Sequence, residues 1–507
     1  MHLFLQLLLI LVLVISLLFL IQKTRKDVTK QPPGPPRLPL IGNLHQFPSS
    51  CPHLWLHELS KKYGPLIFLK LGFISTLVVS SARMAKQVMK TQDQTFCSRP
   101  SLAAQRKLSY NALDVVFAPY GGCWKQLKKI CVLHLFSSKK VQSFSSVRQE
   151  EVCEMMKEIS RLSGEGRVVD LSEMMMSLTC TVICRIAFGK RYDGVTSRCR
   201  WSFRDLLKDA QVMLATLSFS DYFPGMGWID KLTGMSARLD KVFMELNNFY
   251  EEIIEEHLNT IEPMAKSGQE DIVDVLLKLQ REGSLGFDIT TDHIKAILMN
   301  IIVGATETTT ATVVWVMTEL MRNPEAMKRL QEETRTFMMR KKTSDMMIKG
   351  EDFEKLVYLK AVVKETMRLH PAAPLLIPRE TIGKCVIEGY EIQEKTLVFV
   401  NAWAIGRDPE FWENPEEFTP ERFLSDKAVD FRGQDFELIP FGSGRRICPG
   451  MQMGLAMVEL ALVNLIGLFD WALPAGMEEE NLDLNMLPGI AVHKEIPLRL
   501  IAMKFCC

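Results

Sequence analysis

The sequence predicts one large, mainly α domain with small β-sheets, an α+β arrangement preceded by a single N-terminal transmembrane helix. Three observations predict it. Apolar residues recur at helical spacing, with few breakers, over residues 147–162, 237–258, 291–321, 324–337 and 358–369. Strand-like alternation is confined to short pieces at 66–71, 76–80, 385–387 and 396–401. The chain also opens on an apolar run, residues 3–21, broken only by Gln6 and Ser16.

That run would form about 28 Å of helix, close to the hydrocarbon thickness of a bilayer. No Lys or Arg precedes it, whereas Lys23, Arg25 and Lys26 follow, which favours an uncleaved anchor over a cleavable signal peptide and places the body in the cytosol. Pro32, Pro33, Gly34, Pro35 and Pro36 then make a stiff, extended connector. The expected organisation is an anchor at 1–22, a basic and proline-rich hinge at 23–36 and one large folded domain at 37–507. Within the body no repeat of constant period divides the chain, and the charged stretch 338–355 reads as an exposed connection. The 47% hydrophobic content supports a large core. With 61 basic and 60 acidic residues there is no basic excess for a nucleic-acid partner. Twelve scattered cysteines without Cys-x-x-Cys spacing read as reduced thiols rather than a zinc site.

Four features carry chemistry. In the run Phe441-Gly442-Ser443-Gly444-Arg445-Arg446-Ile447-Cys448-Pro449-Gly450, glycines and a proline make a tight loop that brings backbone N–H groups to the cysteine sulfur. Such donors stabilise a thiolate and tune a metal bound to it, although a lone cysteine is more often an inert buried thiol. Arg446 offers a two-pronged donor to an anion. Glu365 and Arg368 share a helix face at i, i+3, but the same spacing occurs at Glu158/Arg161, Glu319/Arg322 and Glu332/Arg335 and is no evidence alone. In the helical segment 296–318 the only formally charged residue is Glu307. Asn300 and the threonines at 306, 308, 309, 310 and 312 make that segment too polar for lipid, so it reads as a core helix. A carboxylate there is expensive without a partner or a function, and Thr308 can bond the Gly304 carbonyl one turn back. Lys125, Lys128, Lys129, Lys139 and Lys140 form a basic cluster that is either a solvated face or a docking site for an acidic protein.

The pattern Phe-x-x-Gly-x-Arg-x-Cys-x-Gly resembles the heme-binding signature of the cytochromes P-450, and chance would produce it in roughly one chain of this length in ten thousand. The resemblance implies that Cys448 ligates the iron of heme b (iron protoporphyrin IX), with Phe441, Arg446 and Gly450 shaping its seat. It implies a structural network of Glu365, Arg368 and, in Pro420-Glu421-Arg422-Phe423, Arg422. Residues 304–309 resemble the oxygen-activation segment, with Glu307 and Thr308 as the proton-delivering pair and Ala305 where the pattern usually has glycine. Trp124 and Lys128 resemble the Trp-x-x-x-Arg element that meets a heme propionate, with lysine in place of the fork-shaped arginine; Arg379, together with Arg446, is the candidate for the second propionate. By analogy the substrate pocket takes Asn300, Val303 and Gly304, then Ala372, Ala373, Leu375, Leu376 and Ile377, then Pro488, Gly489 and Ile490.

The proline hinge, Tyr63-Gly64-Pro65 and the later motifs stand in family order, most like plant microsomal (A-type) enzymes of specialised metabolism. The implied activity is insertion of one oxygen atom from O₂ into a lipophilic small molecule, whether terpenoid, alkaloid, phenylpropanoid or aldoxime. NADPH-cytochrome P-450 reductase would supply electrons, since the chain has no Gly-rich dinucleotide fingerprint, with cytochrome b5 as a further partner. The implied location is the endoplasmic reticulum membrane, single-pass, with the catalytic domain facing the cytosol. Two rivals are a heme-thiolate isomerase or dehydratase that does not need O₂, and a membrane-tethered heme sensor or electron-transfer protein.

Overall fold

The computed structural model describes residues 6, 11, 12, 14–16, 30–48, 50–192, 203–259, 270–283, 287–341, 350–425, 429–478, 482–487 and 489–505. Most of the expected anchor lies outside the described residues; those described within it are helical and exposed. Residues 33–36 of the hinge lie along the body. Phe68 N–H donates to the Pro33 carbonyl (2.9 Å), and the Asn43 amide donates to the carbonyls of Pro35 and Pro36. A Cβ on Gly34 would sit 2.1 Å from the Phe68 carbonyl oxygen, so only glycine permits this approach.

Eleven strands are described: β1 (Leu66–Leu71), β2 (Ile74–Val79), β3 (Val168–Asp170), β4 (Arg379–Glu380), β5 (Cys385–Ile387), β6 (Tyr390–Ile392), β7 (Leu397–Val400), β8 (Phe469–Ala472), β9 (Met486–Leu487), β10 (His493–Lys494) and β11 (Arg499–Lys504). They form a four-stranded sheet in the order β1-β2-β7-β4, a three-stranded sheet β3-β11-β8, and the pairs β5-β6 and β9-β10. Among the described strands only β2 and β7 run parallel. Helix dominates elsewhere, as the periodicity predicts: the five expected segments are Ser145–Gly164, Met235–Asn259, Thr291–Arg322, Pro324–Lys341 and Val357–Leu369.

Two long helices, Leu171–Phe188 and Met451–Leu468, escaped the periodicity. Each is apolar on nearly every face because each is packed on nearly every face, so no polar stripe marks the turn. With Thr291–Arg322 they are long and apolar enough to cross a membrane, yet all three pack in the interior of the body. Thr291–Arg322 is the central helix. It starts at Thr290, whose hydroxyl accepts from His293 N–H, and runs 32 residues through the middle of the core. Its threonines are tolerated there because Thr308, Thr312 and Thr318 each donate to the carbonyl four residues back, while Thr310 pairs with Thr179 of the neighbouring helix at 2.8 Å. The charged stretch expected as a connection divides: 338–341 continue the helix Pro324–Lys341, and 342–349 lie outside the described residues.

Candidate active site

The Cys448 loop is folded by its glycines. Gly442 and Gly444 hold φ of 70° and 71°, in the left-handed region, and a Cβ on Gly444 would sit 2.2 Å from the Met89 carbonyl oxygen. The chain then makes one tight turn, Gly444–Arg446, and Cys448 N–H donates to the Phe441 carbonyl at 3.0 Å. Phe441 packs edge-on against Phe431 and against the central core. The Gly450 and Met451 N–H groups, at the start of the helix Met451–Leu468, point at the Cys448 sulfur. Burial pushes this thiol up, and the Gly450 N–H, the Lys128 ammonium and the Met451 N–H pull the other way. Protein crowds Cys448 on all sides, yet the residue is exposed to a water-sized probe. The residue therefore borders an interior space.

The central helix meets the cysteine helix: a Cβ on Gly454 would sit 4.0 Å from Thr309 Oγ1. One turn earlier, Gly304 is exposed and its position could take a Cβ with no atom within 4 Å. Thr308 Oγ1 donates to the Gly304 carbonyl at 2.7 Å, and Gln211 Nε2 donates to the Val303 carbonyl at 2.9 Å. Two successive carbonyls thus carry side-chain donors, a recognised way of loosening the helical ladder. Glu307, buried beside Thr308, contacts His493 of β10.

A group of buried cations lies next to the loop. Arg446 donates to the carbonyls of Cys97 (2.7 Å) and Ala118 (2.6 Å) and lies 4.1 Å from the centre of the Trp124 ring. Arg379 donates to the Ser443 carbonyl and to Asp93. Arg99, which no motif in the sequence marks, donates to the carbonyls of Val116, Ile377 and Pro378. Burial, followed by the charges of Arg446 and Arg379, holds Arg99 well below the usual guanidinium range; burial pushes Arg446 down to about 10. Asp93 and Asp114 are the acids among these cations, and burial pushes Asp114 up to about 6. An anionic group would relieve this crowding.

Three of the expected contact residues meet protein groups in this structure. Trp124 donates its indole N–H to the Val115 carbonyl (3.0 Å), not outward. Lys128 donates to the Ile447 carbonyl (2.7 Å), because a lysine reaches as a point donor and finds the cysteine loop itself. Asn300 faces protein rather than an open pocket: its amide donates to Asp114 at 2.7 Å, and its oxygen accepts from the N–H groups of Val115 and Val116 at 3.2 Å. Asp114 in turn accepts from Phe117 and Ala118 N–H, so Asn300 and Asp114 together clamp the loop 114–118 that carries acceptors for Arg446 and Trp124.

Glu365, Arg368 and Arg422 come together. Arg368 grips both Glu365 oxygens (2.7 and 2.8 Å) and donates to the carbonyls of Gly406, Pro415 and Glu417. Arg422 reaches Glu365 at 3.2 Å, and Thr419 N–H adds a bond at 2.8 Å. Of the remaining pocket candidates, Val303 is buried, while Ala372, Ala373, Leu375, Leu376, Ile377, Gly489 and Ile490 are half-buried. Val492 N–H donates to the Ala372 carbonyl, which ties the two segments together. Leu375 rests on the cluster around Leu56 and Ile67, and Leu376 on the sheet cluster around Leu77 and Val398, whereas Ile377 and Ile490 face the central core. Pro488 lies outside the described residues. In the basic cluster Lys125 and Lys129 are exposed, and Lys139 and Lys140 border an open groove of about 750 Å³ shared with Lys278, Glu270 and Glu282.

These residues fit a heme. Cys448 borders an interior space, small residues at 304 and 450 leave room for a flat ring, and surplus buried cations suit two propionates. The comparisons agree. The profile of the family described as cytochrome P-450 matches residues 32–498. Cytochrome P-450 71A9 of Glycine max is 47% identical over 501 residues, covering 97% of this chain and 98% of its own. Strychnine-11-hydroxylase of Strychnos nux-vomica is 46% identical over 502 residues, covering 96% and 95%. 5-OH-xanthotoxin synthase of Ammi majus is 46% identical over 482 residues, covering 93% and 92%. Among solved structures, a zebra fish cytochrome P-450 with abiraterone superimposes with a TM-score of 0.74 at 26% identity, covering 90% of this chain and 100% of that one.

Proposed function

We propose, since this chain belongs to the cytochrome P-450 family, that its heme-dependent monooxygenase activity inserts one oxygen atom from O₂ into a lipophilic plant specialised metabolite. Relatives named for strychnine and for a hydroxylated xanthotoxin support an alkaloid or phenylpropanoid class, with terpenoids and aldoximes compatible. NADPH-cytochrome P-450 reductase is the proposed electron donor, with cytochrome b5 as an auxiliary; the exposed lysines near the Trp124 helix (Gly122–Ile130) support such docking. The apolar run 3–21 and the basic residues after it support a single-pass anchor in the endoplasmic reticulum, with the body in the cytosol.

The observation that carries the reading is Cys448, crowded by protein yet exposed, at the start of a helix that meets the one holding Glu307 and Thr308. Cys448 is the proposed iron ligand, its sulfur steadied by the Gly450 and Met451 N–H groups. Arg446, Arg379 and Arg99 are the proposed partners of the propionates, with Lys128 bracing the loop that carries Arg446 and Trp124 bracing the loop whose carbonyls Arg446 meets. When bound, the heme supplies the activation of O₂. Thr308 holds a hydroxyl proton at the helix wall, and Glu307 is the acid that replenishes it. Leu376, Ile377 and Ile490 would exclude water and grip the apolar substrate.

The test is Cys448→Ser in microsomes with reductase, screened against a substrate panel by product mass. The wild type should show the thiolate-type carbon monoxide spectrum and NADPH- and O₂-dependent gain of one oxygen; the variant should lose both. Product formation without NADPH or O₂ would favour the isomerase reading instead.

A further inference from the structure

Glu307 is a carboxylate in the middle of a core helix, only 7% exposed, and burying an ionisable group without a partner is costly. Among the described residues its one ionic contact is the Nε2 of His493 on β10. That nitrogen is itself buried and makes no hydrogen bond among the described residues, so its contact with the Glu307 carboxylate is the one polar contact it has there. We propose that His493 is the positioning residue for Glu307: its ring fixes where the carboxylate lies and links that interior acid to outside water. The proposal rests on the reading of Glu307 and Thr308 as the proton-delivering pair.

The ring is placed by its backbone neighbours. Before it, Val492 N–H donates to the Ala372 carbonyl (2.9 Å) and the Val492 carbonyl accepts from Trp315 Nε1 (3.4 Å). After it, the Lys494 ammonium lies 5.2 Å from the centre of the Trp315 ring and donates to the Asp483 carbonyl. Across the hairpin His493 pairs with Leu487 of β9. Trp315 stands eight residues beyond Glu307 on the same helix, so both flanks of His493 are referenced to the element that carries the acid. The His493 side chain is 22% exposed and the Glu307 side chain 9%. The imidazole thus stands between water and the carboxylate, and an imidazole can donate from one nitrogen while accepting at the other.

The test uses full-length, heme-loaded protein as Glu307→Gln, His493→Ala, His493→Gln and the Glu307→Gln/His493→Ala double variant. Thermal unfolding reads the contact: each single change should lower Tm by a few degrees, and the double should fall no further than the worse single. With reductase and no added substrate, the fraction of consumed NADPH recovered as hydrogen peroxide reads proton delivery. It should rise severalfold in Glu307→Gln and in His493→Ala, and His493→Gln, which keeps an amide donor, should restore part of it. Additive Tm losses, or a wild-type peroxide fraction in His493→Ala while Glu307→Gln is raised, would overturn the role of His493 and leave that of Glu307 standing. A wild-type fraction in Glu307→Gln would overturn the reading of the acid, and the proposal with it.

Discussion

Replacing Arg368 by alanine removes one half of a fully enclosed ion pair: both side chains, Arg368 and Glu365, have no exposed surface. Breaking a buried pair by deleting one partner costs about 3–5 kcal/mol, because the remaining charge is stranded. Arg368 also serves three carbonyls, of Gly406, Pro415 and Glu417, each worth about 1 kcal/mol or more when left unpaired. The total, about 6–8 kcal/mol, falls within the entire stability of an ordinary domain. Arg422 is a useful contrast: it is 14% exposed and meets Glu365 through a single bond, and its loss leaves Glu365 with Arg368 and the Thr419 N–H. That change should cost about 1–2 kcal/mol, or roughly 1–2 °C in Tm for a body of this size. Arg368→Lys keeps the charge without the fork and should fall between the two. Expression in yeast microsomes, scored by carbon monoxide difference spectrum and thermal unfolding, should rank wild type, Arg422→Ala, Arg368→Lys and Arg368→Ala in descending order, the last giving little folded protein. Arg368→Ala with a wild-type Tm, or Arg422→Ala as the more damaging change, would refute the account of this network.

Two further outcomes follow from the clamp and from a buried acid. Asn300→Ala takes the partner from one Asp114 oxygen and from two backbone N–H groups; a loss of about 2–4 kcal/mol in denaturant unfolding and faster proteolysis of the loop 114–118 are expected. Glu459, on the helix Met451–Leu468, is pushed up to about 7 chiefly by burial, against the nearby Lys360 and with Glu354 adding to it. A folded value raised from 4.5 means its contribution is full below pH 4.5 and is lost as the pH rises through about 7. Glu459→Gln should therefore be the more stable protein at pH 8, by at most about 3 kcal/mol, and should converge with the wild type in acid. Thermal melts across that window check it.

Some of the site was legible because the signal is local. The loop 441–450 carries its own turn chemistry, and glycines at 442 and 444 are demanded by left-handed backbone and by the Met89 carbonyl that no Cβ could approach. The lone formal charge in the segment 296–318 marked Glu307 from composition alone. Helix boundaries were readable in Met235–Asn259, where one face meets solvent, and missed in Leu171–Phe188 and Met451–Leu468, where apolar residues cover nearly every face. Periodicity records an amphipathic environment, not helicity as such.

What the chain by itself determined is the set of elements and chemical groups: the cysteine loop, the central helix with its threonines, and the order of Glu365, Arg368 and Arg422. Only the tertiary structure decided partnership. Arg99 joins Arg446 and Arg379 across hundreds of residues, Asn300 turns to Asp114, Lys128 reaches Ile447, and His493 meets Glu307. The physical reason is that a buried polar group must find a partner wherever packing brings one, and that choice depends on distance in space, which spacing along the chain does not encode.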